Sequence, residues 1–337
     1  MESRLIFLIS APRSGSTLLA RMLGAHSAIA AGPEPHLISP LACLGYFERV
    51  ESAAYDPVLS QMGIRELVRR LPDGEKVYLE ACRAYSDALY RAWLNAQPPS
   101  EWVLDKTPAY ALFLDFLERL YPNARYLVLT RTPLAILWSQ VESFFDGDFA
   151  AAERQSPVLA RYVPAIARFL RESATARLHL HYEQLVAEPR AQMERVLGFL
   201  GLGFEEATIE YGSTGQAASP ASRGLGDPVG VSRHDRPVTS SSLRWASALG
   251  ADPERRSQAL RALERLDDAD LETWGYPRNE ILRALEAAAP GSRAARRPFS
   301  RYALERKLLV LLRRNIHHNA LGRLVRRVRL ACDVLLR

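Results

Sequence analysis

With 337 residues the chain has room for one large domain or two modest ones. Its 48% hydrophobic and 24% charged content is ordinary for a globular protein. Three widely spaced cysteines, Cys43, Cys82 and Cys332, exclude a disulfide framework and show no metal-ligand pairing, which fits a reducing, cytoplasmic setting. The net charge of +6 averages two unlike parts. From Gly291 onward thirteen Lys and Arg face only Glu305 and Asp333, a net of +11, which leaves the first 290 residues at −5.

Leu5 to Ile9 is an apolar run too short to span a bilayer and without the long apolar region or cleavage site of a signal peptide. It runs straight into Pro12-Arg13-Ser14-Gly15, so a buried parallel strand over 4–10 is expected. Leu18, Leu19, Met22 and Leu23 then recur at helical spacing within Gly15 to His26. Further strands are expected at 102–104, 125–130 and 177–180, separated by helical patterns near 75–96, 109–120, 133–145 and 153–172. Strands alternating with helices predict an α/β fold, a central parallel sheet flanked by helices on both faces. After Tyr182, helical stretches are expected near 190–201 and 204–211, then a Gly-, Ser-, Pro- and Arg-rich loop over 212–242. Helices resume at about 241–250, 254–265 and 279–288; residues 289–298 read as a linker, and two more helices, 299–315 and 319–336, close the chain. The organisation expected is a catalytic domain over 1–278 and a basic, amphipathic, C-terminal helical extension over 279–337.

A strand, a Gly/Ser turn and a helix together make a general anion cradle, because backbone N–H groups and the helix dipole converge at the helix start. Ser14, Ser16 and Thr17 add hydroxyl donors, and Arg13 adds a permanent charge. A nucleotide-triphosphatase loop would need two glycines with four residues between them and then Lys-Ser/Thr. Here there is one glycine and no lysine, and the strand over 126–130 ends in Arg131 rather than an acidic metal ligand. The bland alternative is a Ser/Gly turn capping an ordinary helix.

These residues resemble the P-loop-fold sulfotransferases that use 3′-phosphoadenosine-5′-phosphosulfate (PAPS), in particular the tyrosylprotein-sulfotransferase-like and bacterial branch. The family's 5′-phosphosulfate loop, Pro-x-Ser-Gly-Thr/Ser-Thr-Leu, is matched by Pro12 to Leu18, so Arg13, Ser14, Gly15, Ser16, Thr17 and Leu18 are implied cofactor contacts. Its 3′-phosphate signature, an Arg at a strand end and a Ser eight residues later, is matched by Arg131 and Ser139. Thr132 and Pro133 are good N-cap and N1 residues, which places Arg131 just before a helix and Ser139 about two turns into it. Tyr182-Glu183-Gln184-Leu185 resembles the segment whose Tyr lies near the adenine. Gly226 to Trp245, with Arg233 and His234, resembles a cofactor-covering loop, and Leu271 to Pro277 the usual close of the domain.

The resemblance implies in-line sulfuryl transfer to a hydroxyl, with 3′-phosphoadenosine-5′-phosphate (PAP) as product and no metal. Catalysis would then rest on positioning and electrostatics. Glu34, in Gly32-Pro33-Glu34-Pro35-His36, takes the place of the branch's general base; His36 stands where the branch has Arg and is the alternative base, a substrate contact or an oxyanion stabiliser. Lys106, in Asp105-Lys106-Thr107-Pro108, resembles the lysine that, with Arg13, neutralises the leaving 5′-phosphate.

Other histidines carry less. His179 and His181 share a strand face but form no metal-ligand set with a carboxylate or cysteine, and His317 and His318 diverge on a helix. Over 299–337 a leucine-rich stripe opposes arginine clusters. That tail suits an anionic membrane surface, which would make the protein peripheral to a membrane, or an acidic carrier protein, or simple packing on the core. Nucleic acid is not expected, since aromatic residues do not interleave the charges. The partner implied is a hydroxyl-bearing acceptor: small molecule, lipid or carrier-bound chain. The rival reading is a phosphotransferase or nucleotide-binding protein without sulfuryl transfer.

Overall fold

Six consecutive buried residues, Leu5–Ser10, make strand β1, the centre of a five-stranded sheet in this computed structural model. The structure describes residues 1–44, 46, 57–145, 147–214, 237, 244–250 and 252–287. The late loop over 226–242 and the basic tail after 287 lie outside the described residues, as do the expectations attached to them. The other strands are β2 (Ile29–Ala30), β3 (Trp102–Asp105), β4 (Arg125–Thr130) and β5 (Arg177–His181). Their order is β2-β3-β1-β4-β5, all parallel, with Phe7 registered on Asp105 to one side and Tyr126 to the other. All strands therefore end at one edge, and the chain departs from β1 to both sides. In open α/β sheets that switch point is where ligands bind.

Alternation along β1 divides the core in two. Leu5, Phe7 and Ile9 face one buried cluster with Tyr126 and Val128; Ile6 and Leu8 face another with Leu127, Leu129 and Leu180. The smaller cluster is covered by α1 (Ser16–Gly24), α9 (Tyr182–Ala187) and α10 (Pro189–Leu200). The larger takes side chains from α2 (Ile38–Ala42), α3 (Pro57–Arg70), α4 (Gly74–Asn95), α5 (Leu114–Leu120), α6 (Pro133–Phe144), α7 (Phe149–Gln155) and α8 (Val158–Glu172). Helices α11 (Arg244–Gly250), α12 (Pro253–Glu264), α13 (Asp268–Trp274) and α14 (Arg278–Ala287) join the same cluster. None of the described helices is long and apolar enough to cross a membrane.

The P-loop-type parallel sheet flanked by helices is as the sequence predicts, with two local differences. β2 is only two residues long and carries no periodicity to detect. The single helix expected over 153–172 is two, α7 and α8, broken at Ser156 and Pro157, where the proline cannot supply a helical N–H. The helix expected over 279–288 is α14, which buries Ile281 and Leu285 in the larger cluster.

Candidate active site

The turn from β1 into α1 is tight: Arg13 and Gly15 both take positive φ, +71° and +93°. At Gly15 the requirement is also steric, because a Cβ there would overlap the Tyr182 ring. Arg13 holds a backbone conformation few non-glycine residues adopt, as does His36 at +50°. Ser14 is fully buried, and its Oγ has no hydrogen-bond partner among the described residues. Such a donor is costly to leave unmet and fits an acceptor from a ligand.

Arg131 follows β4, and Thr132 and Pro133 serve as N-cap and first helical residue of α6. Its guanidinium lies 4.2 Å from the Tyr182 ring centroid, and its Nη1 donates to the Arg13 carbonyl at 3.0 Å. Arg13 Nε in turn donates to Ser139 Oγ at 3.1 Å. Arg13, Gly15, Arg131, Ser139 and Tyr182 are thus one connected cluster drawn from three strand ends and the helices that follow them. Two anchors, the buried Trp274 and the half-buried Glu183, set its frame. Trp274 Nε1 donates to the Arg131 carbonyl at 2.8 Å. Glu183 accepts from Thr132 N at 3.3 Å, Thr132 Oγ1 at 2.8 Å and the Tyr276 hydroxyl.

The second cluster lies at the end of β3. Lys106 Nζ donates to Glu34 Oε1, and His36 Nε2 stands 3.5 Å from Glu34 Oε2. Lys106 is 5% exposed and Glu34 14%, so this is a largely desolvated ion pair in which either charge alone would be costly. Beneath it Asp105, 1% exposed, accepts from the Tyr90 hydroxyl at 2.6 Å, the Tyr110 hydroxyl at 3.0 Å and Thr107 Oγ1 at 3.0 Å. Burial pushes its carboxyl up to about 6 against the pull of those three hydroxyls. On α8, burial first, and then the Glu34 charge working against Arg161, raise the Tyr162 hydroxyl, which places its ring in the field of the same carboxylate.

Two anion-seeking groups on one turn, an arginine and a serine tied to it, and a lysine–carboxylate pair on the adjacent strand can hold an anionic ligand beside a base. The model of the sulfotransferase family matches residues 5–206, more than half of the chain, and takes in every residue of both clusters except Trp274 and Tyr276. The chain belongs to the sulfotransferase family. Nodulation protein NoeE of Sinorhizobium fredii (strain NBRC 101917 / NGR234) is 31% identical over 234 residues, 62% of this chain and 52% of that protein. Protein-tyrosine sulfotransferase 1 of Danio rerio is 26% identical over 212 residues, 61% of this chain and 56% of that one. The chain spans little more than half the length of either relative. Among solved structures, the sulfotransferase domain from the curacin biosynthetic pathway shares the fold at a TM-score of 0.52 and 24% identity, covering 77% of this chain and 96% of that one.

Within this member of the family the structure places Arg13, Ser14, Gly15, Ser16, Thr17 and Leu18 on the β1–α1 turn and the first turn of α1, and Glu34, His36 and Lys106 together at β3. Arg233 and His234 lie outside the described residues. His179 and His181 do share a face, their rings 4.5 Å apart, and both bond Thr130 Oγ1, at 2.8 and 3.3 Å. Among the described residues no group of three His, Cys, Asp or Glu is placed to hold a metal ion. Sequence reasoning did not single out Asp105, Tyr110, Tyr162, Glu183, Trp274 or Tyr276. Asp105 and Glu183 each sit beside a residue it did single out, and a carboxylate next to a site lysine or tyrosine was the available signal.

Proposed function

We propose that this chain transfers the sulfuryl group of PAPS to a hydroxyl of its acceptor, releasing PAP, with Glu34 as general base. The observation that carries this reading is the tie from the β1–α1 turn through Arg13 and Arg131 to Ser139, with the Lys106–Glu34 pair on the neighbouring strand. The residues fit a nucleotide with phosphate at both ends. Arg13, Ser14, Gly15, Ser16, Thr17 and Leu18 would hold the 5′ end, where the buried Ser14 Oγ has no partner among the described residues and Gly15 leaves room for the Tyr182 ring. Arg131 and Ser139 would hold the 3′-phosphate, with Tyr182 and Arg233 beside the nucleoside. When bound, PAPS supplies the electrophilic sulfur and a phosphate leaving group.

The chain's own residues then divide the work. Lys106 is engaged by Glu34, and an anionic phosphate competes for the same ammonium. As Lys106 turns to it, the Glu34 carboxylate is released to take the acceptor's proton, and its second oxygen keeps the neighbouring His36 imidazole. Lys106 and Arg13 hold the charge that builds on the leaving oxygen. Burial of the pair strengthens each of these electrostatic effects relative to water. The acceptor is a small molecule, a lipid or a carrier-bound chain. The basic tail over 299–337 would bring the enzyme to an anionic membrane surface or an acidic carrier at the cytoplasmic side, with the body through Ala287 forming the catalytic unit.

Thermal stabilisation tests the ligand. PAP at one hundred times its Kd should stabilise the chain by about 2.7 kcal/mol, well above ATP with magnesium. Better stabilisation by ATP and magnesium, with no advantage from the 3′-phosphate, would overturn the reading. Mass-spectrometric detection of products heavier by SO3, lost in Glu34→Ala and in Lys106→Ala, tests the transfer.

A further inference from the structure

The turn that bears Glu34 and His36 must be held against β3, which bears Lys106, or the pair at the centre of the site could not persist. Between Ala31 and Leu37 it forms no helix or strand, and its next regular element, α2, begins at Ile38. Among the described residues the Ile38 N–H, two residues beyond His36, does not bond to another backbone group. It donates to the Tyr110 hydroxyl at 2.9 Å in a buried setting. The same hydroxyl donates to Asp105 Oδ2 at 3.0 Å, and Asp105 is the residue immediately before Lys106. Tyr110 is fully buried, its ring edge-on to Phe7 and tilted against Phe113, so its hydroxyl is fixed by packing on β1 and cannot swing away. Tyr90 donates to the same Asp105 oxygen from α4, but among the described residues its hydroxyl makes no bond to the Glu34 turn. The two tyrosines therefore share one function, holding Asp105, and differ in another.

We infer that Tyr110 is a positioning residue: its hydroxyl, relayed between Asp105 and the Ile38 N–H, registers the Glu34 turn against Lys106. This rests on the reading of Glu34 and Lys106 as base and leaving-group lysine. Removing the hydroxyl leaves the nucleotide-facing residues Arg13, Ser14, Arg131 and Ser139 untouched. The fault is one of alignment on the acceptor side, where displacement by about 1 Å can cost up to 100-fold in rate.

The experiment compares Tyr110→Phe with Tyr90→Phe in the full chain. Each keeps its ring packing and deletes one hydrogen bond to Asp105, and Tyr110→Phe also leaves the Ile38 N–H unmet, so both should lose Tm and Tyr110→Phe the more. In Tyr110→Phe alone, kcat should fall roughly 10- to 100-fold with the KM for PAPS within two-fold of wild type, and PAP should still stabilise the protein fully. Amide hydrogen exchange at Ile38 should quicken at least ten-fold in Tyr110→Phe and stay unchanged in Tyr90→Phe. Equal kcat losses in the two variants, or unchanged exchange at Ile38 in Tyr110→Phe, would overturn the inference. A wild-type chain that transfers no sulfuryl group would count against the functional reading instead, and the exchange comparison would still decide whether Tyr110 holds the turn.

Discussion

Glu183 touches no candidate substrate group, yet three donors converge on its carboxylate: Thr132 N, Thr132 Oγ1 and the Tyr276 hydroxyl. Glu183→Ala strips the partner from a Tyr276 hydroxyl whose ionisation burial and that carboxylate already oppose. It also removes an anion from the N-terminus of α6. An unmet buried hydroxyl costs about 1–3 kcal/mol, and a carboxylate at a helix start contributes about 0.3–1 kcal/mol. The sum is a loss of roughly 1–4 kcal/mol, or a fall in Tm on the order of 2–6 °C for a chain of this size. Arg131 precedes Thr132, so the same change should loosen the arginine that bonds the Arg13 carbonyl and reduce stabilisation by PAP. Glu183→Gln, which keeps an acceptor for Thr132 and can still bond Tyr276, should recover at least half of the loss. Differential scanning fluorimetry with and without PAP reads both quantities. A Glu183→Ala protein with wild-type Tm and undiminished PAP stabilisation would refute the reasoning, and so would a Gln variant as damaged as Ala.

Gly15→Ala forces a side chain into a φ of +93° and against the Tyr182 ring, so PAP stabilisation should vanish and stability drop by about 1–3 kcal/mol, measured by the same scans. Gly275→Ala meets His181 in the same way at φ +89°, and should destabilise comparably while sparing PAP binding more. The buried histidines predict a pH dependence. Burial lowers His179 to about 4 and also lowers His181. Their folded values lie below the unfolded value of about 6.5, so the unfolded chain takes up protons first. The stability they contribute is complete above about pH 6.5 and is lost as pH falls toward 4. Asp105, raised to about 6, works in the opposite sense, its penalty easing as pH falls below that value. The histidine contribution is therefore read as the difference between wild type and His179→Gln in urea unfolding from pH 7.5 to 4.5, where the variant's profile should be flatter by up to about 1.4 kcal/mol per pH unit.

Strands β1 and β4 were legible because a strand buried on both faces is an unbroken apolar run, as Leu5–Ile9 and Tyr126–Leu129 are. The β1–α1 turn and Arg131 were legible because their residue types and spacing carry the chemistry locally. Lys106 and Glu34 could be named as candidates, but not as partners: they lie seventy-two residues apart, and only parallel pairing of β2, β3 and β1 brings them together. Tyr90, Tyr110 and Trp274 were illegible for a related reason. In sequence each is an apolar aromatic at helical or turn spacing, and nothing local says that its one polar atom will meet Asp105 or the Arg131 carbonyl. The break between α7 and α8 is masked in sequence because helical periodicity continues across Pro157, although the proline disfavours helix in the residue before it.

The hydrogen bond from Trp274 to the Arg131 carbonyl spans 143 positions of sequence, and α13 lies beyond the stretch matched by the family model. The five strands are complete by residue 181, long before this indole exists on a growing chain. A polypeptide that stops short of Trp274 would still hold every strand and every residue of the β1–α1 turn, but its arginine would lack the brace behind it. The brace on Arg131 would thus be completed only once synthesis has passed Trp274. Unfinished chains would then compete poorly for nucleotide, and the gain of affinity would mark the moment at which the body closes.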